Sequence, residues 1–342
     1  MRERTKLGAL LLAAAGSLAL FAPPAAAAGP APVYAPDGSV ADPGVLRADG
    51  KFFAYTTADK GTVNRGDTAS GDWRRIGPAV DMSDPPPWVD TSKHLWAPDA
   101  WHVPGGGYVL YYSAVAKQFG GQRCIGAATS DNPGGPFTPR GGVPLVCPRH
   151  NGEDGVPGRP VSDAGVIDPS PFKDSEGTLF LLYKTQQTPS SLRMVRLGGT
   201  GLHTVDNPSG ELLQRDGIIE NPVMVQRGSR FVLFASRFGF DNCSYASVWL
   251  RSDSKWHFAG AAEHTLMTTS GTGICGPGGA DVTPSLDGAG WRIFLHGWVC
   301  GAGTAACTTS QIENGAAHRR ALYAAILHWG GDNATPGVGA FF

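Results

Sequence analysis

Apolar and polar positions recur along this chain in one unit: an acid close to a proline, a short apolar run, a glycine-containing turn, and a second apolar run. The first copy reads Asp42-Pro43-Gly44-Val45-Leu46, a turn at Asp49-Gly50, then Phe52-Phe53-Ala54-Tyr55. The second runs from Pro98-Asp99 through Val103, a Gly105-Gly106-Gly107 turn and Tyr108 to Tyr112. The third opens on Asp168-Pro169, turns between Asp174 and Gly177, and returns as Leu179 to Tyr183. Glu220-Asn221-Pro222 opens the fourth, with a turn at Gly228 and Phe231 to Phe234 behind it; Asp281 to Leu286, a turn at Asp287 to Gly290 and Trp291 to Leu295 make the fifth. Apolar runs of this length between Gly and Pro predict strands joined as hairpins.

Such a hairpin cannot bury both of its faces alone, so repeated copies have to stack. Five copies, each tens of residues apart, predict an all-β, five-bladed β-propeller with the acid-bearing strand innermost. A β-sandwich also uses short strands and regular turns, but it gives no reason for an acid and a proline at the head of every unit. The stretch from Arg320 to Trp329 is rich enough in Ala for a helix, yet its place at the chain end favours a ring-closing strand. No linker interrupts residues 29–342, which are expected to form one catalytic domain.

The first 28 residues read differently. Arg2, Arg4 and Lys6 precede an apolar run from Leu7 to Phe21, followed by Pro23-Pro24 and Ala25 to Ala28. That order predicts a signal peptide, residues 1–28, removed on export; the run is shorter than the roughly 20 residues a membrane-spanning helix needs. The expected product is secreted, extracellular and without a membrane segment. Its 48 Gly and 27 Pro among 342 residues fit a turn-rich fold. A net charge of -1 without a basic cluster removes the counterion-release drive for nucleic-acid binding and suits a neutral partner such as a carbohydrate. An even set of six Cys in an exported chain reads as disulfides. Of the possible connectivities, sequence proximity favours Cys124–Cys147, Cys243–Cys275 and Cys300–Cys307.

Glycosidic cleavage needs a carboxylic acid to protonate the leaving oxygen and a carboxylate to activate water or attack the sugar. Asp42, Asp168 and Glu220 stand at the heads of three units, and the longer Glu220 suits an acid reaching for a leaving group. An Asp at a turn can equally serve only to accept backbone N–H groups, which is the reading given to Asp99 and Asp281.

The chain resembles glycoside hydrolase family 43, especially its arabinanase-like and arabinofuranosidase-like members. The resemblance rests on Ala41-Asp42-Pro43, Leu95-Trp96-Ala97-Pro98-Asp99, Tyr108 to Ser113, Ile125 to Ser130, Ile167-Asp168-Pro169-Ser170 and Ile219-Glu220-Asn221-Pro222, in the family's order. It implies an inverting hydrolase with Asp42 as general base, Asp168 as pKa modulator and Glu220 as general acid. It also implies that His296 points into the channel, where it could accompany a structural calcium or sodium ion; the chemistry itself requires no cofactor. Two positions depart from the family's pattern: Gly279 stands where a His is common, and Asn221 where Ala or Gly is usual.

For substrate binding, Trp96 is the expected sugar-stacking platform, with Trp88 and Phe53 behind it and Arg237 bonding sugar hydroxyls. The expected substrate is a plant-cell-wall pentose polymer, with α-L-arabinofuranosyl linkages in arabinan or arabinoxylan first. A β-xylosidase on the same scaffold and an inactive glycan-binding propeller are the alternatives. A monomer is expected.

Overall fold

The computed structural model of the protein describes residues 29–118, 120–148 and 165–342. The expected signal peptide and most of the loop from Cys147 to Gly165 lie outside these residues. Each glycine turn closes an antiparallel hairpin, and the hairpins extend into five sheets of four strands, each in sequence order. Blade 1 holds β1 (Gly44–Ala48), β2 (Lys51–Thr56), β3 (Thr62–Gly66) and β4 (Arg74–Pro78). Blade 2 holds β5 (Trp96–His102), β6 (Tyr108–Val115), β7 (Arg123–Ser130) and β8 (Thr138–Arg140). Blade 3 runs through β9 (Val166–Lys173), β10 (Leu179–Thr185), β11 (Ser190–Leu197) and β12 (Thr204–Arg215). Blade 4 comprises β13 (Ile219–Arg227), β14 (Arg230–Arg237), β15 (Ala246–Ser252) and β16 (Glu263–Met267). Blade 5 comprises β17 (Cys275–Pro284), β18 (Trp291–Cys300), β19 (His318–Trp329) and β20 (Pro336–Phe341). The protein is a five-bladed β-propeller, as the repeats predict.

Asp49 and Gly50 show why the first hairpin is tight: both have positive φ, 51° and 68°, the backbone that matches the twist of two paired strands. The strands behind such turns are apolar on both faces. Every residue of β10 is buried. Accordingly the core is not one mass but a layer between each pair of neighbouring blades. Phe53, Tyr55, Trp88 and Tyr112 fill the layer between blades 1 and 2. Val109, Tyr111, Leu181 and Tyr183 fill the next. Phe172, Leu182, Leu233 and Leu250 lie between blades 3 and 4, and Phe234, Trp249, Ile293 and Tyr323 between blades 4 and 5. Val45, Phe52, Phe294 and Leu322 close the ring between blades 5 and 1. Each large apolar side chain so buried stabilises the ring by about 1.5–3 kcal/mol.

The segment 320–329 is a strand, but it lies within β19 and does not by itself close the ring. The start of the described chain lies along it instead: Tyr34 and Leu322 exchange backbone hydrogen bonds of 3.3 and 2.8 Å, and the Val40 N–H donates to the Arg320 carbonyl at 2.8 Å. The three disulfides are Cys124–Cys147, Cys243–Cys275 and Cys300–Cys307, the pairing that proximity favoured.

Candidate active site

At one end of the central channel a small cavity of about 30 Å³ is lined by three consecutive residues from each blade, 42–44, 97–99, 168–170, 221–223 and 279–281. The first residue of every triplet has a left-handed backbone: Asp42 (φ 51°), Ala97 (42°), Asp168 (56°), Asn221 (50°) and Gly279 (57°). Outside glycine such values are uncommon, and their cost is tolerated where the surroundings fix them. Here the reward is visible in four of the five, whose backbone N–H donates to a side chain of the neighbouring blade. Asp42 donates to His296 Nδ1 (3.0 Å), Ala97 to Thr57 Oγ1 (2.9 Å), Asn221 to Asp168 Oδ2 (3.0 Å) and Gly279 to Ser236 Oγ (2.9 Å). The mouth is therefore stitched from blade to blade. In four triplets proline follows, and its fixed φ carries the chain on into the inner strand.

This register corrects the alignment of the acids read from the repeats. Asp42 and Asp168 do occupy equivalent places, but Glu220 precedes its left-handed residue by one, and Asp99 and Asp281 follow theirs by two. Irregular strand pairing between Glu220 and Val223 accommodates the offset, as bulges beside functional sites commonly do.

Asp42 is partly exposed, and its two oxygens have different partners. Thr57 donates to Oδ2 at 2.6 Å, and Arg320 Nη1 lies 3.1 Å from Oδ1. Burial pushes this carboxyl up, but Arg320 above all, with Thr57 and Lys184, holds it below the ordinary Asp value. Asp42 is thus an ionised carboxylate at neutral pH. Asp168 is in the opposite condition: burial, and after it the charge of Glu220, push it up to about 7, although Lys184 opposes the shift. Glu220, itself buried, has Lys184 Nζ 2.5 Å from Oε2. Lys184 reaches the site because the pairing of β10 with β9 shifts register between Leu182 and Lys184. Asp42, Asp168 and Glu220 are therefore brought together from three blades, as the repeats predict, with an ammonium among them that the repeats do not show.

His296 is fully buried, and its ring stacks on Tyr245 with centroids 5.6 Å apart. Burial, with Arg320 nearby, lowers it to about 3, so it is neutral. Because Nδ1 accepts the Asp42 N–H, its proton sits on Nε2. A neutral imidazole has one lone pair, and here it is in use. In this arrangement His296 positions Asp42 through Nδ1. Among the described residues no group of three or more His, Cys, Asp or Glu side chains is placed to hold a metal ion. The two departures from the family's pattern also have local causes. A Cβ on Gly279 would come within 2.6 Å of the His296 ring, so only glycine fits. Asn221 accepts a hydrogen bond of 2.6 Å from the Tyr245 hydroxyl and so braces the wall next to Glu220.

Below the mouth, Asp99 and Asp281 flank Gly44, where a side chain would collide with Asp99. Asp281 accepts from the Val45 and Val282 N–H groups at 2.5 and 2.7 Å. Burial raises both carboxyls, Asp281 to about 7, and Asp99 is raised further by Asp281. They form a floor to the channel, consistent with a structural part.

The expected sugar contacts fare less well than the acids. Trp88 is fully buried and Phe53 is 5% exposed, both inside the layer between blades 1 and 2, so neither meets a ligand. Arg237 is committed to its own blade edge, donating to the Ile218 and Asp216 carbonyls at 3.0 and 3.2 Å and pairing with Glu263 at 3.2 Å. Trp96 is half-buried at the head of β5, and one face of its ring is covered by the Arg123 guanidinium, 3.4 Å from the ring centroid. Arg320, Lys184, Thr57 and Tyr245 are the site residues that the sequence reading missed. None heads a repeat unit, and three of them, Thr57, Lys184 and Arg320, lie on or just after second or third strands.

A five-bladed propeller with carboxyls converging at the channel mouth supplies the groups that glycosidic hydrolysis requires. A family model described as Glycosyl hydrolases family 43 matches residues 31–311. The chain belongs to this family. Among individual proteins it is 37% identical over 97 residues to "Xylosidase/arabinosidase 43A" of Humicola insolens, a match covering 28% of this chain and 23% of that protein. It is 26% identical over 273 residues to "Arabinan endo-1,5-alpha-L-arabinosidase A" of Aspergillus niger, covering 76% of this chain and 75% of the relative. Of the solved structures, an α-L-arabinanase of Cellvibrio cellulosa complexed with arabinohexaose superposes with a TM-score of 0.64 at 20% identity, over 88% of this chain and 95% of that one. An endo-1,5-α-L-arabinanase from Thermotoga petrophila RKU-1 gives 0.65 at 18% identity, over 89% and 74%. At these identities the structural likeness concerns the fold. No helix among the described residues is long and apolar enough to cross a membrane.

Proposed function

We propose that the protein is an exported hydrolase of α-L-arabinofuranosyl linkages in arabinan or arabinoxylan, acting with inversion. The observation that carries this reading is the contrast between two carboxyls in one cavity. Asp42 is held ionised by Arg320 and its neighbours, whereas Asp168, beside Glu220, keeps its proton up to about pH 7. Inverting hydrolysis needs that division: a carboxylate to take a proton from water, and a carboxylic acid to give one to the leaving oxygen.

In this mechanism Asp42 accepts the water's proton as its oxygen attacks the anomeric carbon. Glu220 protonates the departing glycosidic oxygen, and the C–O bond breaks. Asp168 is the carboxyl that holds a proton up to about pH 7, and it passes that proton to Glu220 for this step. Thr57, Arg320 and His296 fix the Asp42 carboxylate. Export is supported by the basic, apolar and small-residue order of residues 1–28 and by the three disulfides, which suit an oxidising compartment.

The arabinose reading draws on the arabinanase relatives. β-Xylosidase activity is the second reading, favoured by the dual name of the Humicola protein. Product analysis on debranched arabinan, arabinoxylan and xylo-oligosaccharides separates the two. Arabinose or arabino-oligosaccharide release supports the first reading; xylose release alone replaces it with the second. Binding without release from any of the three would make the protein a glycan-binding propeller.

A further inference from the structure

Six large apolar side chains are exposed among those described, and Ile76, Val143, Leu202 and Phe342 are scattered singly. Phe238 and Phe240 are different. They stand two residues apart on the connection from β14 to β15, 53% and 46% exposed. This connection leaves the blade at the catalytic end, because Ser236 pairs with Glu220 and Arg237 with Ile219. Phe240 lies over the Arg320 guanidinium, 5.2 Å from its centroid, and the same guanidinium bonds Asp42 at 3.1 Å. Phe240 is therefore one contact removed from Asp42, through Arg320.

The connection is also held firmly. Trp298 Nε1 donates to the Phe240 carbonyl at 2.8 Å, and the Cys243–Cys275 disulfide ties the segment to β17. Phe238 has a left-handed backbone, φ 69°, which is an outlier for a bulky residue. Each ring has one guanidinium against it, Arg237 for Phe238 and Arg320 for Phe240, and each stays about half exposed, Phe238 against backbone preference as well.

We propose that Phe238 and Phe240 are a sugar-stacking platform at the rim of the channel, binding the arabinan residues that adjoin the scissile linkage. The platform rests on the arabinan reading above and specifies where the polymer lies. The apolar faces of furanose rings are matched by flat aromatic surfaces, and a rim beside Asp42 and Glu220 keeps the chain in line with the acids.

The test uses a Glu220→Gln parent, which binds without turnover, titrated with arabinohexaose and with xylohexaose by calorimetry. Phe238→Asn keeps a residue tolerant of positive φ but removes the ring, and Phe240→Leu keeps apolar packing over Arg320. Each is expected to weaken arabinohexaose binding about tenfold, while Phe240→Tyr retains it. A parent that binds arabinohexaose, with variants that bind equally well, overturns the platform and leaves the substrate reading intact. A parent that binds only xylohexaose overturns the arabinan reading; the platform then stands only if the same variants weaken xylohexaose. Binding of neither sugar overturns both.

Discussion

Lys184 Nζ lies 2.5 Å from Glu220 Oε2, so the carboxylate cluster at the channel mouth contains its own buried counter-charge. The lysine belongs to blade 3 and the glutamate to blade 4, and both are nearly inaccessible, with side chains 9% and 10% exposed. Removing one member of such a pair strands the other, at a cost of about 3–5 kcal/mol. The positive charge also acts beyond its contact, lowering both Asp168 and Asp42.

The pH profile follows from these shifts. Asp168 is held up to about 7, so kcat/KM is expected to fall as pH rises through that value and Asp168 loses the proton it passes to Glu220. Lys184→Met removes a charge that lowers Asp168, so the alkaline limb should move to higher pH. Asp42 loses a stabilising charge as well, so the acid limb should move up too. Limbs that stay in place while kcat falls would show that Lys184 acts only through packing.

Asp42→Asn and Glu220→Gln should each reduce kcat by about 10²–10⁴-fold. Circular dichroism should report an intact propeller for both, since neither residue belongs to an inter-blade layer, with a lowered thermal midpoint only for Glu220→Gln, which leaves the buried Lys184 without its partner. Near-normal turnover in either variant would remove that residue from the chemistry.

Gly279→Ala should be far more harmful than a comparable change at a free turn. Its Cβ would meet His296 at 2.6 Å, and the backbone is left-handed at φ 57°. Gly217 has a similar φ of 73° with nothing within 4 Å, so Gly217→Ala carries the backbone strain alone. Strain of that kind costs about 1–3 kcal/mol. Urea midpoints of the two variants should differ clearly, and kcat should drop only for Gly279→Ala, because His296 holds the Asp42 backbone. Equal midpoints would contradict the packing described.

Stability should also depend on the channel floor. Asp281 is held up to about 7, above its ordinary value of 3.8, so the folded protein binds this proton more tightly than the unfolded chain. The stabilisation is complete below the unfolded value and is lost as pH rises through the folded one. Urea midpoints should accordingly fall between about pH 4 and about pH 7, and Asp281→Asn should flatten that slope. An unchanged slope in the variant would show that Asp281 does not supply it.

The sequence made the blades legible because each hairpin repeats the same apolar runs and glycine turn. It made the three acids legible because each heads a unit, close to a proline. The true equivalence at the mouth was hidden, since what repeats there is a left-handed backbone. Ala97, Asn221 and Gly279 share that conformation with Asp42 and Asp168 but share no side chain with them. Lys184 and Arg320 were hidden for another reason: they lie on β10 and β19, and only the folded register brings them to Glu220 and Asp42. Trp88 and Phe53 misled because an aromatic between blades and an aromatic facing a ligand look alike in a strand pattern. Burial alone separates them.

The central claim is inverting hydrolysis by Asp42 and Glu220, and the anomeric form of the first product tests it most directly. Proton NMR of debranched arabinan mixed with the wild-type protein should show the β-anomer of the new reducing end appearing first and the α-anomer growing in by mutarotation. The α-anomer appearing first would establish retention and contradict the roles given to these two carboxyls.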